Sequence, residues 1–396
     1  MVSLAVWFYM LVARGAFWRA REQDGEDDRQ TLNKSSEHVA NTGTPDAWPS
    51  VVAVVPARNE AGSIAAMVTS LFEQDYAGPL RVVVVDDGSD DGTAARARAA
   101  AEALGASERL DVLNGSSLPR GWTGKLWALR QGIAHACDDA AARPGFQGSP
   151  EFLLLTDADI LHASDNVRRL VVRARTDDRV LVSLMARLRT DSFWEYALVP
   201  AFVFFFQMLY PFAWVNRRDS RVAAAAGGCM LVRRDALDAA GGLESIRSEI
   251  IDDCALGARM KTQGAIWLGL SRRVTSARPY SGLGELRTMV ARTAYAQLKY
   301  SPLRLIAAVA ALSLAFFVPP LFALFAEGAA RVAGVLAWLI MAVMYQPMLK
   351  FYGRSIWWGP LLPGIAALYT AFVLDSAFQH WRGRGGMWKG RAQAGR

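Results

Sequence analysis

The stretch EFLLLTDADI, Glu151 to Ile160, is an apolar run that stops on two aspartates separated by one alanine. Such a run, bounded by polar residues, reads as a strand buried on both faces of a parallel sheet. The carboxylates of Asp157 and Asp159 at its end repel each other and are costly to hold together unless something positive lies between them. The same texture occurs upstream. VVAVVPARNE (Val51–Glu60) and RVVVVDDGSDDGT (Arg81–Thr93) are apolar runs that also end in polar loops. Between them Ile64, Met67, Val68, Leu71 and Phe72 recur at helical spacing. Leu110–Leu113, Phe152–Thr156, Val180–Met185 and Cys229–Val232 are further strand candidates. Strands alternating with helices predict a doubly wound α/β domain, whose ligands bind at the carboxyl ends of the strands.

The bulk composition adds a membrane. Of 396 residues, 52% are hydrophobic and only 20% charged, and the mean hydropathy of +0.14 implies that part of the chain meets lipid. The net charge is +7, but the basic residues form no dense stripe of the kind that binds nucleic acid. Much of the excess follows Gln379, at Arg382, Arg384, Lys389, Arg391 and Arg396, beside apolar segments. A membrane surface is the partner such a tail suits. Cys137, Cys229 and Cys254 are far apart, with no CxxC, and read as buried hydrophobes rather than a disulfide framework or a zinc site.

Membrane segments follow from length and apolarity. Met1–Ala13 is apolar and is followed by Arg14, Arg19 and Arg21, so residues 1–21 read as an N-terminal membrane anchor or, in the alternative, an interfacial helix. Residues 22–50 are polar and read as a linker to a catalytic domain over 51–300. Leu305–Ala326, Val332–Leu349 and Pro360–Phe378 predict three transmembrane helices within 301–380, ahead of a basic tail over 381–396. Pro319 and Pro320 leave a re-entrant hairpin open for the first. Trp194–Val215 is rich in aromatic residues but carries Glu195, Pro200, Gln207 and Pro211. It reads as a helix lying in the headgroup region near the active site, or as a buried core helix.

Several acidic strand ends on one sheet point to a metal ion and a phosphorylated ligand. Mg²⁺ or Mn²⁺ prefers carboxylate oxygens and bridges to phosphates, and such an ion is the expected positive charge between Asp157 and Asp159. Neither GxxxxGK[ST] nor a placed GxGxxG is found, which argues against a P-loop or a dinucleotide fold. His135 and His162 read as surface or capping residues.

These motifs resemble the family 2 glycosyltransferases of GT-A fold, over roughly Val51 to Tyr300. The resemblance implies that Pro56, Asn59, Glu60, Asp86 and Asp87 hold the nucleoside of a nucleotide-sugar donor, in that family a UDP-sugar. Lys125, in GWTGKLWAL, matches a lysine near the pyrophosphate, and Asp157 and Asp159 match the pair that binds metal and diphosphate. GGCMLVRRDAL, with Gly227 and Gly228, matches a glycine-rich stretch bordering sugar and acceptor. EIIDDCALGARM matches an acidic pair in which Asp253 is the general base, with Asp252 beside it, for a direct inverting displacement.

One element departs from that pattern. Membrane polymer synthases of the family carry QxxRW, whereas this chain reads MVARTAYAQLKYSP. Arg292, or Lys299, remains as a phosphate contact, and the processive reading is weakened. RGAFWRA, RTAYAQLKYSP and GMWKGR together resemble the hopanoid-associated glycosyltransferases of bacteria. That narrower resemblance implies a lipid acceptor and a multi-pass protein of the bacterial inner membrane with a cytosolic catalytic domain. The rival readings are a polysaccharide synthase and a catalytically inactive scaffold that binds a nucleotide-sugar.

Overall fold

The computed structural model describes residues 1–25, 48–138, 146, 148–383, 387–388 and 391–392. Most of the expected linker and most of the basic tail, including Gly386, Lys389 and Gly390 of GMWKGR, lie outside the described residues. The chain divides into a sheet unit (22–188, 215–278 and 388–396) and a helical unit (1–21, 189–214 and 279–387). Residues 189–214 and 279–300, within the catalytic domain expected over 51–300, fall in the helical unit.

The sheet unit holds β1 (Val51–Ala57), β2 (Leu80–Asp86), β3 (Leu110–Asn114), β4 (Phe152–Thr156), β5 (Ile160–His162), β6 (Arg179–Arg187), β7 (Cys229–Arg233) and β8 (Ala265–Ser276). They form one sheet in the order β3-β2-β1-β4-β7-β6-β8-β5. The first four run parallel, but β7 is antiparallel to both β4 and β6, and β5 to β8. The sheet is thus mixed: β6 and β8 again pair in parallel, and the expected parallel arrangement is interrupted at β7 and β5. β1, β2 and β4 are buried along their whole lengths, as unbroken apolar runs require. One cover is the helix Gly124–Asp138, where Gly132 permits close approach: a Cβ there would come within 2.5 Å of Val54 and 3.0 Å of Val85. The helix Ile64–Phe72 buries the five apolar residues its spacing predicted.

This topology fixes where the site can form. β1, β2 and β4 end on the same edge, so their polar loops gather there. Because β7 runs against β4, with Cys229 opposite Thr156, the residues entering β7 come to that edge as well. Residues 22–24, expected to be linker, instead bond to β8: Leu270 N–H donates to Glu22 O at 2.8 Å and Asp24 N–H to Leu270 O at 3.0 Å.

In the helical unit, Phe193–Leu209 begins with a capping box in which Ser192 accepts from the Glu195 N–H and Glu195 from the Ser192 N–H. Nine of its residues are buried, so within this unit it behaves as a core helix, with Phe193 and Leu209 exposed. Pro302–Leu312 continues through a π-turn, Ser313–Phe317, into Val318–Phe325, so Pro319 and Pro320 do not fold the segment into a hairpin. Pro319 has no N–H for the Ala315 carbonyl four residues back, and the Trp7 indole supplies one at 2.6 Å. Ser376 enters the Leu283–Gln297 helix in a similar way, donating to Ala291 O and accepting from Tyr295 N–H.

Among the described residues, two helices are long and apolar enough to cross a bilayer, Pro302–Phe325 and Gly328–Phe351, of 24 residues each. At 1.5 Å per residue each spans about 36 Å, against a hydrocarbon core of about 30 Å. The third expected span does not meet the same measure: Leu362–Trp381 carries Asp375 and ends in His380–Trp381. Val2–Val12, the expected anchor, has 11 helical residues, which reach only about 16 Å.

Candidate functional site

The first strand ends gather as a loop network. Asn59 adopts a left-handed conformation, φ +52°, which asparagine tolerates better than most residues. Its N–H donates to Ser89 Oγ at 3.0 Å and its Oδ1 accepts from Asp90 N–H at 3.1 Å. The Glu60 N–H donates to Thr93 Oγ1 at 2.8 Å, and Asp86 Oδ1 accepts from Ser89 N–H at 2.8 Å. The β1 and β2 loops are thus tied to each other before any ligand arrives. Pro56 is buried in β1 opposite Val85. Asp87, also buried, faces the Arg58 guanidinium at 3.7 Å. Arg58 was not singled out in the sequence; its adjacency to Asn59 was the available signal.

A second group sits at β4 and β7. Lys125, in the first turn of Gly124–Asp138, places Nζ 2.8 Å from Asp157 Oδ1 and 3.5 Å from Asp252 Oδ2. Asp252 and Asp253 open the helix Asp252–Lys261. Asp253 Oδ2 accepts from the Gly227 N–H at 3.0 Å, and its Oδ1 from the Cys254 N–H at 2.7 Å. Gly227 has no room for a side chain without displacement: a Cβ would stand 3.2 Å from Lys125 Nζ and 3.3 Å from Asp253 Cβ. Gly228 accepts through its carbonyl from Thr156 Oγ1 at 2.7 Å. Asp159 is held from β8, with Ser276 Oγ donating to its Oδ2 at 2.8 Å and Ala277 N–H to its carbonyl at 2.7 Å. Ser276 was missed because β8 itself was not predicted.

The electrostatics of this group follow from enclosure. Burial alone disfavours the Lys125 ammonium, but Asp157 and Asp252 outweigh it and push its pKa up, so it stays charged. Burial raises the Asp157 carboxyl, with Lys125 pulling it back down and Asp159 pushing it further up. Asp253 is pushed up to about 6, first by burial and then by the neighbouring Asp252 charge, against Lys125 and its two amide donors. A carboxylate poised near neutrality beside a fixed cation can accept a proton from a bound hydroxyl.

The structure therefore brings Lys125, Asp157, Asp252, Asp253 and Gly227 together, with Gly228 and Asp159 bonded into the same strand ends. Arg292 lies on Leu283–Gln297, in the helical unit. His162, expected as a surface or capping residue, is not at the surface: it is 5% exposed, and burial lowers its pKa to about 4. His135 is partly exposed, with its Nε2 3.2 Å from Arg81. None of the three cysteines is in a disulfide.

Among the described residues, no three His, Cys, Asp or Glu side chains group as a self-sufficient metal site. The donor set fits a different kind of site. Mg²⁺ and Mn²⁺ in nucleotide sites are commonly held by one or two carboxylates, with substrate phosphates completing the shell. Asp157 keeps a side chain 35% exposed, and Asp159 bonds through Oδ2 to a neutral hydroxyl.

Comparison with known proteins bears on what this geometry serves. Residues 52–241 match the family described as Glycosyl transferase family 2, and residues 147–380, more than half the chain, match Glycosyl transferase family 21. The chain is 28% identical over 220 residues to a 4,4'-diaponeurosporenoate glycosyltransferase of Staphylococcus aureus, covering 54% of this chain and 52% of that one. It is 28% identical over 204 residues to an N-acetylglucosaminyltransferase of Mesorhizobium japonicum, covering 48% and 41%. The chain thus spans about half the length of the curated relatives it matches. Among solved structures, the mannosyltransferase PcManGT from Pyrobaculum calidifontis, in complex with GDP-Man and Mn²⁺, is similar at 18% identity and TM-score 0.48, covering 96% of this chain and 99% of that one. Glucosyl-3-phosphoglycerate synthase from Mycobacterium tuberculosis, with Mg²⁺ and uridine-diphosphate, follows at 17% identity and TM-score 0.41, covering 68% and 82%.

Proposed function

The chain belongs to glycosyl transferase family 21 and is a glycosyltransferase, and from that premise we propose that it moves one sugar from a nucleotide-sugar donor to a membrane lipid. The observation that carries the site assignment is Asp253: a carboxylate raised to about 6, held by the Gly227 amide at 3.0 Å, in a cluster organised by Lys125. Asp253 takes the proton of the acceptor hydroxyl as that oxygen bonds to the anomeric carbon. The bond from that carbon to the diphosphate breaks, and the nucleoside diphosphate leaves with the electron pair, inverting the anomeric centre. Lys125 faces the diphosphate, Asp252 supports the charge of Lys125, and Pro56, Asn59, Glu60, Asp86 and Asp87 cradle the nucleoside, with uridine the expected base. Asp157 and Asp159 would hold Mg²⁺ or Mn²⁺, which neutralises charge growing on the leaving group. Arg292 remains a candidate phosphate contact from the helical unit.

A lipid acceptor is supported by the relative named for 4,4'-diaponeurosporenoate and by the two long apolar helices, whose Leu303, Ile306, Leu324, Phe325 and Leu339 are exposed. A bacterial inner-membrane protein with its sheet unit in the cytosol is the setting this reading requires, and a hopanoid-related lipid is the first acceptor to try. The test is nucleoside diphosphate release by the purified protein in nanodiscs, across a donor panel, with Mg²⁺ or Mn²⁺ and with or without bacterial lipid extract. Release that needs lipid and is lost in Asp159→Asn supports the reading. Donor binding with no release under any lipid would favour a non-catalytic scaffold.

A further inference from the structure

We propose that His162 is a positioning residue for the transfer site: as a neutral imidazole carrying its proton on Nε2, it aims the Thr156 hydroxyl at the Gly228 carbonyl. It thereby holds the end of β4 against the loop that offers the Gly227 amide to Asp253.

The direction of each hydrogen bond follows from the one before it. Asn166 Nδ2 lies 2.9 Å from His162 Nδ1 and 3.9 Å from Cys229 Sγ. An amide NH₂ only donates, so Nδ1 accepts and the ring proton sits on Nε2. His162 Nε2 is 3.0 Å from Thr156 Oγ1. That hydroxyl accepts from the ring and is left with its single proton for the Gly228 carbonyl, 2.7 Å away. Asn166 and Thr156 are each 1% exposed and His162 5%, so water has little access to replace a lost partner. With the opposite tautomer Thr156 would donate to the ring. Among the described residues, the Gly228 carbonyl would then keep the long bond from the Asp157 amide at 3.4 Å.

The relay ends where the chemistry begins. Thr156 is followed directly by Asp157, and Gly228 is preceded directly by Gly227, whose N–H bonds to Asp253. One side chain that touches no reacting atom thus sets the spacing between the diphosphate end and the base end of the site. The depressed basicity of His162 agrees with a ring that stays neutral at cellular pH.

The kinetic part of this inference rests on the transfer reading above; the tautomer does not. The experiment uses the full chain in nanodiscs, labelled with ¹⁵N-histidine. The chain has 4 histidines, so the His162 signals are assigned by their loss in His162→Phe. Nitrogen shifts of an Nε2–H tautomer are expected, and those of an Nδ1–H tautomer would overturn the relay whether or not the protein turns over. For kinetics, Thr156→Val is expected to lower kcat at least tenfold with the donor KM changed less than about threefold. Thr156→Ser keeps the hydroxyl, His162→Gln keeps a donor where Nε2–H stood, and both are expected within about threefold of the parent kcat. Equal losses in Thr156→Ser and Thr156→Val would overturn the positioning role. A parent protein that releases no nucleoside diphosphate from any donor would instead refute the transfer reading, with the tautomer still deciding the relay.

Discussion

Lys125 Nζ lies 2.8 Å from Asp157 Oδ1, so an ammonium joins the end of β4 to the first turn of Gly124–Asp138. It also reaches Asp252 at 3.5 Å, next to Asp253. Removing it takes away the cation that Asp157 and Asp252 face and leaves like charges close together, which is unfavourable. Lys125→Met is expected to cut turnover at least a hundredfold. Because Lys125 holds the Asp253 carboxyl down, the residual activity should also need a higher pH than the parent. A pH–rate profile of the variant checks both, and an unshifted acid limb would separate Lys125 from Asp253.

Gly227 tests the close packing of the same group. A methyl at this position would stand 3.2 Å from Lys125 Nζ and 3.4 Å from Asp253 Oδ2, so those neighbours must give by a few tenths of an ångström. Gly227→Ala should lower kcat about tenfold while its melting temperature stays within a few degrees of the parent, because only local side chains move. Thermal unfolding and steady-state rates on one preparation decide it.

Asp253 sets the expected pH dependence. As a general base it works only when ionised, and its carboxyl titrates near 6, so kcat/KM should rise through about pH 6 and level off above it. The effect on stability has the opposite sign. A carboxyl raised above its unfolded value adds stability at low pH that is lost as pH rises through about 6. Asp253→Asn should therefore lose at least a hundredfold in kcat yet melt no lower than the parent at pH 7.5.

His162 predicts a second limb of stability. Its pKa falls to about 4 on burial, below the unfolded value of about 6.5. The unfolded chain thus takes up a proton first, and stability present above pH 6.5 is lost as pH falls toward 4, by about 3 kcal/mol in all. The melting temperature of the parent should drop over that window, and the drop should shrink in His162→Gln.

How much of this was legible in the sequence depended on burial. β1, β2 and β4 are covered on both faces, so their apolar runs announced them, and the polar loops after them followed. β8 did not announce itself. Its sequence, AIWLGLSRRVTS, is interrupted by Gly269 and by Ser271–Arg273, and its pairing with β6 and β5 supplies what local propensity lacks. β5 is three residues long, too short for any period to show. The Lys125 contact of Asp157 was not legible either: the lysine lies 32 residues upstream in number and is adjacent only through the sheet. Among the helices, length and apolarity predicted three spans, of which two reach that length and apolarity among the described residues, and could not reveal that Ser376 and Trp7 repair interrupted backbone ladders.

The most direct test of the central claim is mass spectrometry of the lipid after incubation with donor and divalent ion. Parent protein in nanodiscs, given bacterial lipid and the donor that supports release, should yield a lipid heavier by one sugar residue, and Asp253→Asn should yield none. Donor consumption with no glycosylated lipid, or product formed equally well by Asp253→Asn, would contradict the account.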